Sequence, residues 1–148
     1  MSEDPGEPYP PVAQFMPHGP PIRALDELLQ WESGHAVCRL RIKETMPFVK
    51  DGAVATVAFV EYLAQAVAVC LGYEAYVGGE GVRVGMLVGI RKMTLHQPTV
   101  PVGTDVIVEV ERLRGSEDVS TFRGVARVGE TEIATAQMTL FHAERPPE

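Results

Sequence analysis

The longest apolar stretch of the chain runs from Val54 to Val77 and reads as one long helix. Thr56 is a candidate N-cap, and Gly78, Gly79 and Gly81 stop it. Two polar residues interrupt the run near its centre, Glu61 and Gln65. At about 100° per residue, one face reads Val54, Val57, Ala58, Glu61, Gln65, Ala68, Gly72, while Phe59, Leu63, Val67 and Cys70 point elsewhere. Around this helix the pattern changes to a period of two. Ala36–Lys43 alternates, with Ala36, Cys38, Leu40 and Ile42 on one face. Strands follow at Val84–Leu95, Asp105–Leu113, Val119–Val128 and Glu132–His142, with Gly129-Glu130 as a tight hairpin. Ile22–Trp31 has helical spacing but fits equally a turn entering a strand, and Ser33-Gly34 is a turn. Phe15–Pro21 and Met46–Gly52 are loops.

Pro5, Pro8, Pro10 and Pro11 assign residues 1–14 to a poorly ordered tail, leaving a single domain over 15–143 and a frayed tail at 144–148. The plan is α+β: a run of antiparallel strands around one buried helix. One sheet covers one side of a helix that is apolar nearly all round. The remainder needs loops or a second subunit, so a dimer is expected.

At 148 residues one domain buries about 70% of its unfolded surface, so no disulfide or metal is needed for folding. The net charge of −7 and pI near 5.1 argue against nucleic acid and anionic membranes as main partners. Arg83, Arg91, Lys92, Arg112, Arg114 and Arg123 offer cations for an acidic carrier-type partner, although scattered arginines are commonly solvated surface. Cys38 and Cys70 read as buried, inert thiols, and the four histidines are dispersed, without metal-ligand spacing. The N-terminus carries neither a basic nor an apolar leader segment, so a cytoplasmic protein is expected. The apolar helix is nearly long enough to span a bilayer, but Glu61 and Gln65 at its centre make it a core helix with no membrane role.

Glu61 carries the chemistry. A carboxylate on an apolar helix either meets an arginine or is desolvated with a raised pKa, in which state it can act as a general acid near neutral pH. Gln65, four residues on, lies within hydrogen-bonding reach on the same face. The small residues flanking the pair leave room for a substrate or another backbone.

Three segments, in order, resemble the hotdog-fold 3-hydroxyacyl-[acyl-carrier-protein] dehydratases. Phe15-Met16-Pro17-His18 with Pro21 is similar to their "LPH…P" segment, with Asp26 at their early aspartate. Val60-Glu61-Tyr62-Leu63-Ala64-Gln65-Ala66 is similar to their central helix. Gly89-Ile90-Arg91-Lys92, Pro98 and Pro101-Val102-Gly103 are similar to their "GI(D)K…P…PGD" strand and turn. The likeness extends from about Phe15 to His142 and, with "VEYLAQA" and His96, looks nearest to the dehydratases of aryl-polyene-type clusters. Two departures accompany it. The Pro-Gly that opens the family's helix is Ala55-Thr56, and its "HFP" loop is Met46-Pro47-Phe48.

The resemblance implies a curved antiparallel sheet wrapped around the helix, and reversible dehydration of a 3-hydroxyacyl thioester in fatty-acid or polyene-type synthesis. The thioester is borne by acyl-carrier-protein or CoA, and no cofactor is required. It implies His18 as the base at C2 and Glu61 as the acid at the C3 hydroxyl. Backbone N–H groups near Thr56 and Val57, and at Gly89, would hold the thioester oxygen. Gln65 would orient Glu61 or a water. A tunnel along Val54, Val57, Ala58, Ala68 and Gly72 would take the acyl chain, and the phosphopantetheine arm would enter from the Arg91/Lys92 side. In this family the two catalytic residues come from different subunits, which implies a homodimer or a heterodimer with a related hotdog subunit. His35, His96 and His142 are unpromising as site residues. A hotdog thioesterase is the alternative enzyme, against which His18 argues. A non-catalytic acyl-binding subunit of a heterodimer is the other, against which the presence of both His18 and Glu61 argues.

Overall fold

The computed structural model describes residues 9–15, 23–79, 83–115 and 118–144. Strands β1 (Glu27–Glu32) and β2 (His35–Arg41) form a hairpin through Ser33-Gly34, with Gly34 at a φ of 77°. Two short strands, β3 (Val49–Lys50) and β4 (Ala53–Ala55), precede a single 3-10 turn (Thr56–Ala58) and the helix α1 (Phe59–Val77). Then come β5 (Arg83–Leu95), β6 (Thr99–Pro101), β7 (Asp105–Gly115), β8 (Val119–Val128) and β9 (Thr131–Glu144). The main sheet has the order β1-β2-β7-β8-β9-β5, antiparallel throughout, and β3-β4-β6 form a small second sheet.

The alternating strands put one continuous apolar face under α1. Cys38 lies opposite Val108, Val108 opposite Ala126 and Ala126 opposite Ala134, all fully buried. In the next row Ala36, Val110, Gly124 and Ala136 are aligned. Gly124 has no room for a side chain, since a Cβ there would stand 2.9 Å from Met138 Cε and 3.1 Å from Leu63 Cδ2. The helix therefore sits close to the sheet at that point, with Phe59, Leu63, Val67 and Cys70 turned into the core as the helical spacing requires. The segment Thr56–Val77 is long and apolar enough to cross a membrane, but 67% of its most apolar 18-residue window is buried inside the domain. It is the core helix of a hotdog fold. The two thiols of Cys38 and Cys70 are pushed up to about 12, chiefly by burial, and are inert.

Three expectations are corrected. Val54 and Ala55 belong to β4 and pair with β3 and β6. An apolar β-branched run reads alike as buried strand or helix, and the Asp51-Gly52 turn, with φ of 54° and 77°, decides for a hairpin. Thr56 makes no capping hydrogen bond through its side chain. Of the expected tail 1–14, residues 1–8 lie outside the described residues, and 9–14 are not a tail. Val12 is buried in the core, and Tyr9 packs edge-on against Tyr73 at 5.4 Å while its hydroxyl accepts the Trp31 N–H at 3.2 Å. Of the ambiguous Ile22–Trp31 segment, Ile22 lies outside the described residues and Glu27 onward belongs to β1, with a bulge between Leu28 and Gln30 that breaks its alternation.

One side of the C-terminal half of α1 is tied down by a cluster of mostly paired groups, while Tyr76 and Val77 are exposed. Trp31 stacks on Tyr73 at 4.7 Å and donates its indole N–H to the Cys70 carbonyl at 3.0 Å. Glu74 accepts from Ser33 Oγ at 2.7 Å and from Arg112 at 2.9 and 3.3 Å. The Arg112 guanidinium lies 5.4 Å over the Phe122 ring, and its backbone N–H donates to Gly34 O. Arg112, a candidate surface cation from the sequence, is thus structural.

Candidate active site

Glu61 stands in the first turn of α1. It is half-buried, beside the half-buried Val60, Ala64 and Ala68 and the 56% exposed Val57. These residues form the helix face that the chain's own sheet leaves open. Among the described residues Glu61 has no ion pair and no hydrogen bond, so the arginine alternative does not apply there. Its charge is felt nearby: burial first, and then the Glu61 carboxylate, push the Tyr62 phenol up to about 12.

The structure redistributes the expected supporting residues. Gln65 is fully buried, one step under the open face, and its Oε1 accepts the Ala24 N–H at 2.8 Å. It fixes the backbone that leads into β1, a contact across 41 residues that no local pattern announces. Thr56 cannot offer its N–H to a substrate, because that group donates to Pro98 O at 2.9 Å. The N–H of Val57, the second residue of the 3-10 turn, remains at the helix N-terminus, where donors lack intrahelical partners and carry partial positive charge. Two hydroxyls in this region, Thr56 Oγ1 and Tyr62 OH, are buried with no hydrogen-bond partner. Of the expected tunnel residues, Ala58 and Ala68 border the open face. Val54 and Gly72 are sealed in the core of the single chain, Val54 because it is a strand residue packed opposite Val49 and Val100. Gly89 is half-buried on β5, beside a bulge. His18 lies outside the described residues.

Residues drawn from the resemblance alone take quiet roles. Asp26 accepts the Arg41 N–H at 2.7 Å and the Lys43 ammonium at 2.6 Å. Met46, in place of the loop histidine, is buried with its sulfur 3.4 Å from the Lys43 N–H. His96 is exposed, and His35 is held by Glu109 at 2.6 Å.

Beside the open helix face runs the edge strand β5. It carries exposed Leu87, Val88, Ile90 and Leu95 along an edge that no strand among the described residues pairs with. An apolar edge of this length is a pairing surface.

The sequence of the ApeP-like family, described as ApeP dehydratase, matches residues 10–148. The chain belongs to the ApeP-like dehydratase family. A curated relative, the 3-hydroxyacyl-[acyl-carrier-protein] dehydratase FabZ of Polaromonas naphthalenivorans, is 29% identical over 133 residues, covering 86% of this chain and 91% of its own. Among solved structures, the dehydratase heterocomplex ApeI:P from Xenorhabdus doucetiae superposes with a TM-score of 0.87 at 23% identity, over 93% of each chain. The HP0420 homologue from Helicobacter felis follows at a TM-score of 0.66 and 19% identity, over 89% of this chain and 85% of that one. The structural likenesses establish the hotdog fold, and the family match makes this ApeP-like chain a hotdog dehydratase of the FabZ and ApeP type.

Proposed function

We propose that this chain removes water reversibly from a carrier-protein-borne 3-hydroxyacyl thioester, with Glu61 as acid, His18 as base and a second hotdog subunit completing the site. One observation carries the reading: the Glu61 carboxyl sits on an open, apolar helix face without a cation among the described residues. A carboxyl placed so has no structural duty there and is available for proton transfer.

In the reaction, His18 takes a proton from C2, the C2–C3 double bond forms, and the C3–O bond breaks as Glu61 gives its proton to the departing hydroxyl. The product is the trans-2-enoyl thioester and one water. Transfer of the proton from the His18 imidazolium to the Glu61 carboxylate resets the pair. The charge that develops on the thioester oxygen is met by the Val57 N–H, with Gly89 as the second donor. The acyl chain runs over the small side chains Ala58 and Ala68, roofed by the second subunit that pairs along β5. That subunit is another copy or a related hotdog chain. A cytoplasmic setting fits this chemistry.

The test feeds 3-hydroxybutyryl and crotonyl thioesters, on carrier protein and on CoA, and follows enoyl absorbance and free thiol together. Enoyl change without thiol release is expected, whereas thiol release would mean a thioesterase. Glu61→Gln and His18→Ala are each expected to slow turnover by about 10²–10⁴-fold. Full turnover in both variants sinks the assignment.

A further inference from the structure

A cavity of about 400 Å³ opens between residues 11–13, the segment 23–26 and the loop after β2 at 43–46. No residue of α1 is among those that line it. Each wall is fixed by hydrogen bonds of its backbone. The Gln14 N–H donates to Pro11 O at 3.0 Å, the Ala24 N–H to Gln65 Oε1 at 2.8 Å, the Asp26 N–H to Arg39 O at 2.8 Å and the Met46 N–H to Lys43 O at 3.0 Å. The apolar lining, Val12, Leu25 and Met46, belongs to the buried core. Two cations and one carboxylate border the cavity, Arg23, Lys43 and Asp26, which leaves one positive charge over. Asp26 and Lys43 hold each other at 2.6 Å, and the Arg41 N–H donates to the second Asp26 oxygen at 2.7 Å. Arg23 is half-buried, and among the described residues it has neither an ion pair nor a hydrogen bond.

These features select a class of ligand. A guanidinium partly withdrawn from water, with no anion bonded to it, matches the oxygens of a carboxylate or a phosphate. One surplus positive charge, with the Asp26 carboxylate close by, suits a monoanion and repels a doubly charged phosphate. The volume falls within the range of small-ligand sites and far exceeds a bare ion, and the lining is apolar, so the anion that fits carries an apolar body. Thr45, at the border, adds a hydroxyl donor. Walls already held by hydrogen bonds need little further ordering when a ligand enters. A carboxylate on an alkyl chain meets each of these conditions.

We propose that this cavity is a binding site for alkyl monocarboxylates, with Arg23 gripping the carboxylate and Val12, Leu25 and Met46 taking the chain. The site does not depend on the dehydration reading above. Methyl NMR titration of the full chain with butyrate, hexanoate, octanoate and the neutral octanamide tests it. The Met46 and Ala13 methyl signals are expected to shift, and those of Ala58 and Ala68 on the Glu61 face to stay. Affinity should rise by up to about fourfold per added methylene. Octanoate should bind about tenfold more tightly than octanamide. Arg23→Met should abolish the preference for acid over amide while leaving the melting temperature of the free protein unchanged, and Arg23→Lys should restore part of it. Shifts confined to Ala58 and Ala68, or no shifts at all, overturn the proposal. So does an undiminished preference in Arg23→Met. Acetate shifting the same signals as strongly as octanoate would mark a site for the bare ion and overturn it too. None of these readouts requires turnover, so a failed dehydratase assignment leaves the site standing.

Discussion

Toward its C-terminal end α1 is held by Trp31, Tyr73 and the Ser33–Glu74–Arg112 cluster, where every polar side chain has at least one partner and only the Arg112 Nε is left over. At its N-terminal end the same helix shows a solvent-facing Val57, a carboxyl at Glu61 without a cation among the described residues, and two buried hydroxyls at Thr56 and Tyr62 without partners. A buried polar group left unpaired costs about 1–3 kcal/mol, so the N-terminal end is expensive for an isolated chain. The contrast separates the part of the helix that holds the domain together from the part that awaits a ligand or a second subunit.

Three substitutions sharpen or break that contrast. Trp31→Ala, at the held end, should cost the most, about 3 kcal/mol in urea unfolding, because it removes the ring against Tyr73 and the donor to Cys70 O together. Arg112→Met should cost about 2 kcal/mol, since Glu74 loses a two-pronged charged partner. Neither should alter the binding of a pantetheine thioester once allowance is made for the folded fraction. Thr56→Val, at the open end, should change stability by less than about 0.5 kcal/mol or raise it. A loss above about 1 kcal/mol there would reveal a partner for that hydroxyl and erase the distinction between the two ends.

Much of this was legible before any coordinates. The strands that flank α1 bury one face each, so period-two alternation at Ala36–Ile42 and at Val106–Val110 reported the sheet directly. Glu61 was visible as a break in an apolar run. Other features left no local trace. Val54-Ala55 reads as helix because composition cannot distinguish a buried strand from a buried helix, and the deciding pairings with β3 and β6 come from elsewhere in the chain. Tyr9 and Val12 lie among prolines that suggest disorder, yet their contacts, with Trp31, Tyr73 and the core, are distant in sequence. Gln65 was found as a polar neighbour of Glu61, but its bond to Ala24 required the three-dimensional path.

The strand order carries one more consequence. α1 precedes β7, β8 and β9, which cover it, and so leaves the ribosome before them. At typical elongation rates several seconds separate the two events. Throughout that interval a helix apolar enough for a bilayer lacks the cover of those three strands in the nascent chain. The synthesis of this small domain therefore passes through its most aggregation-prone moment in the interval between α1 and the strands that cover it.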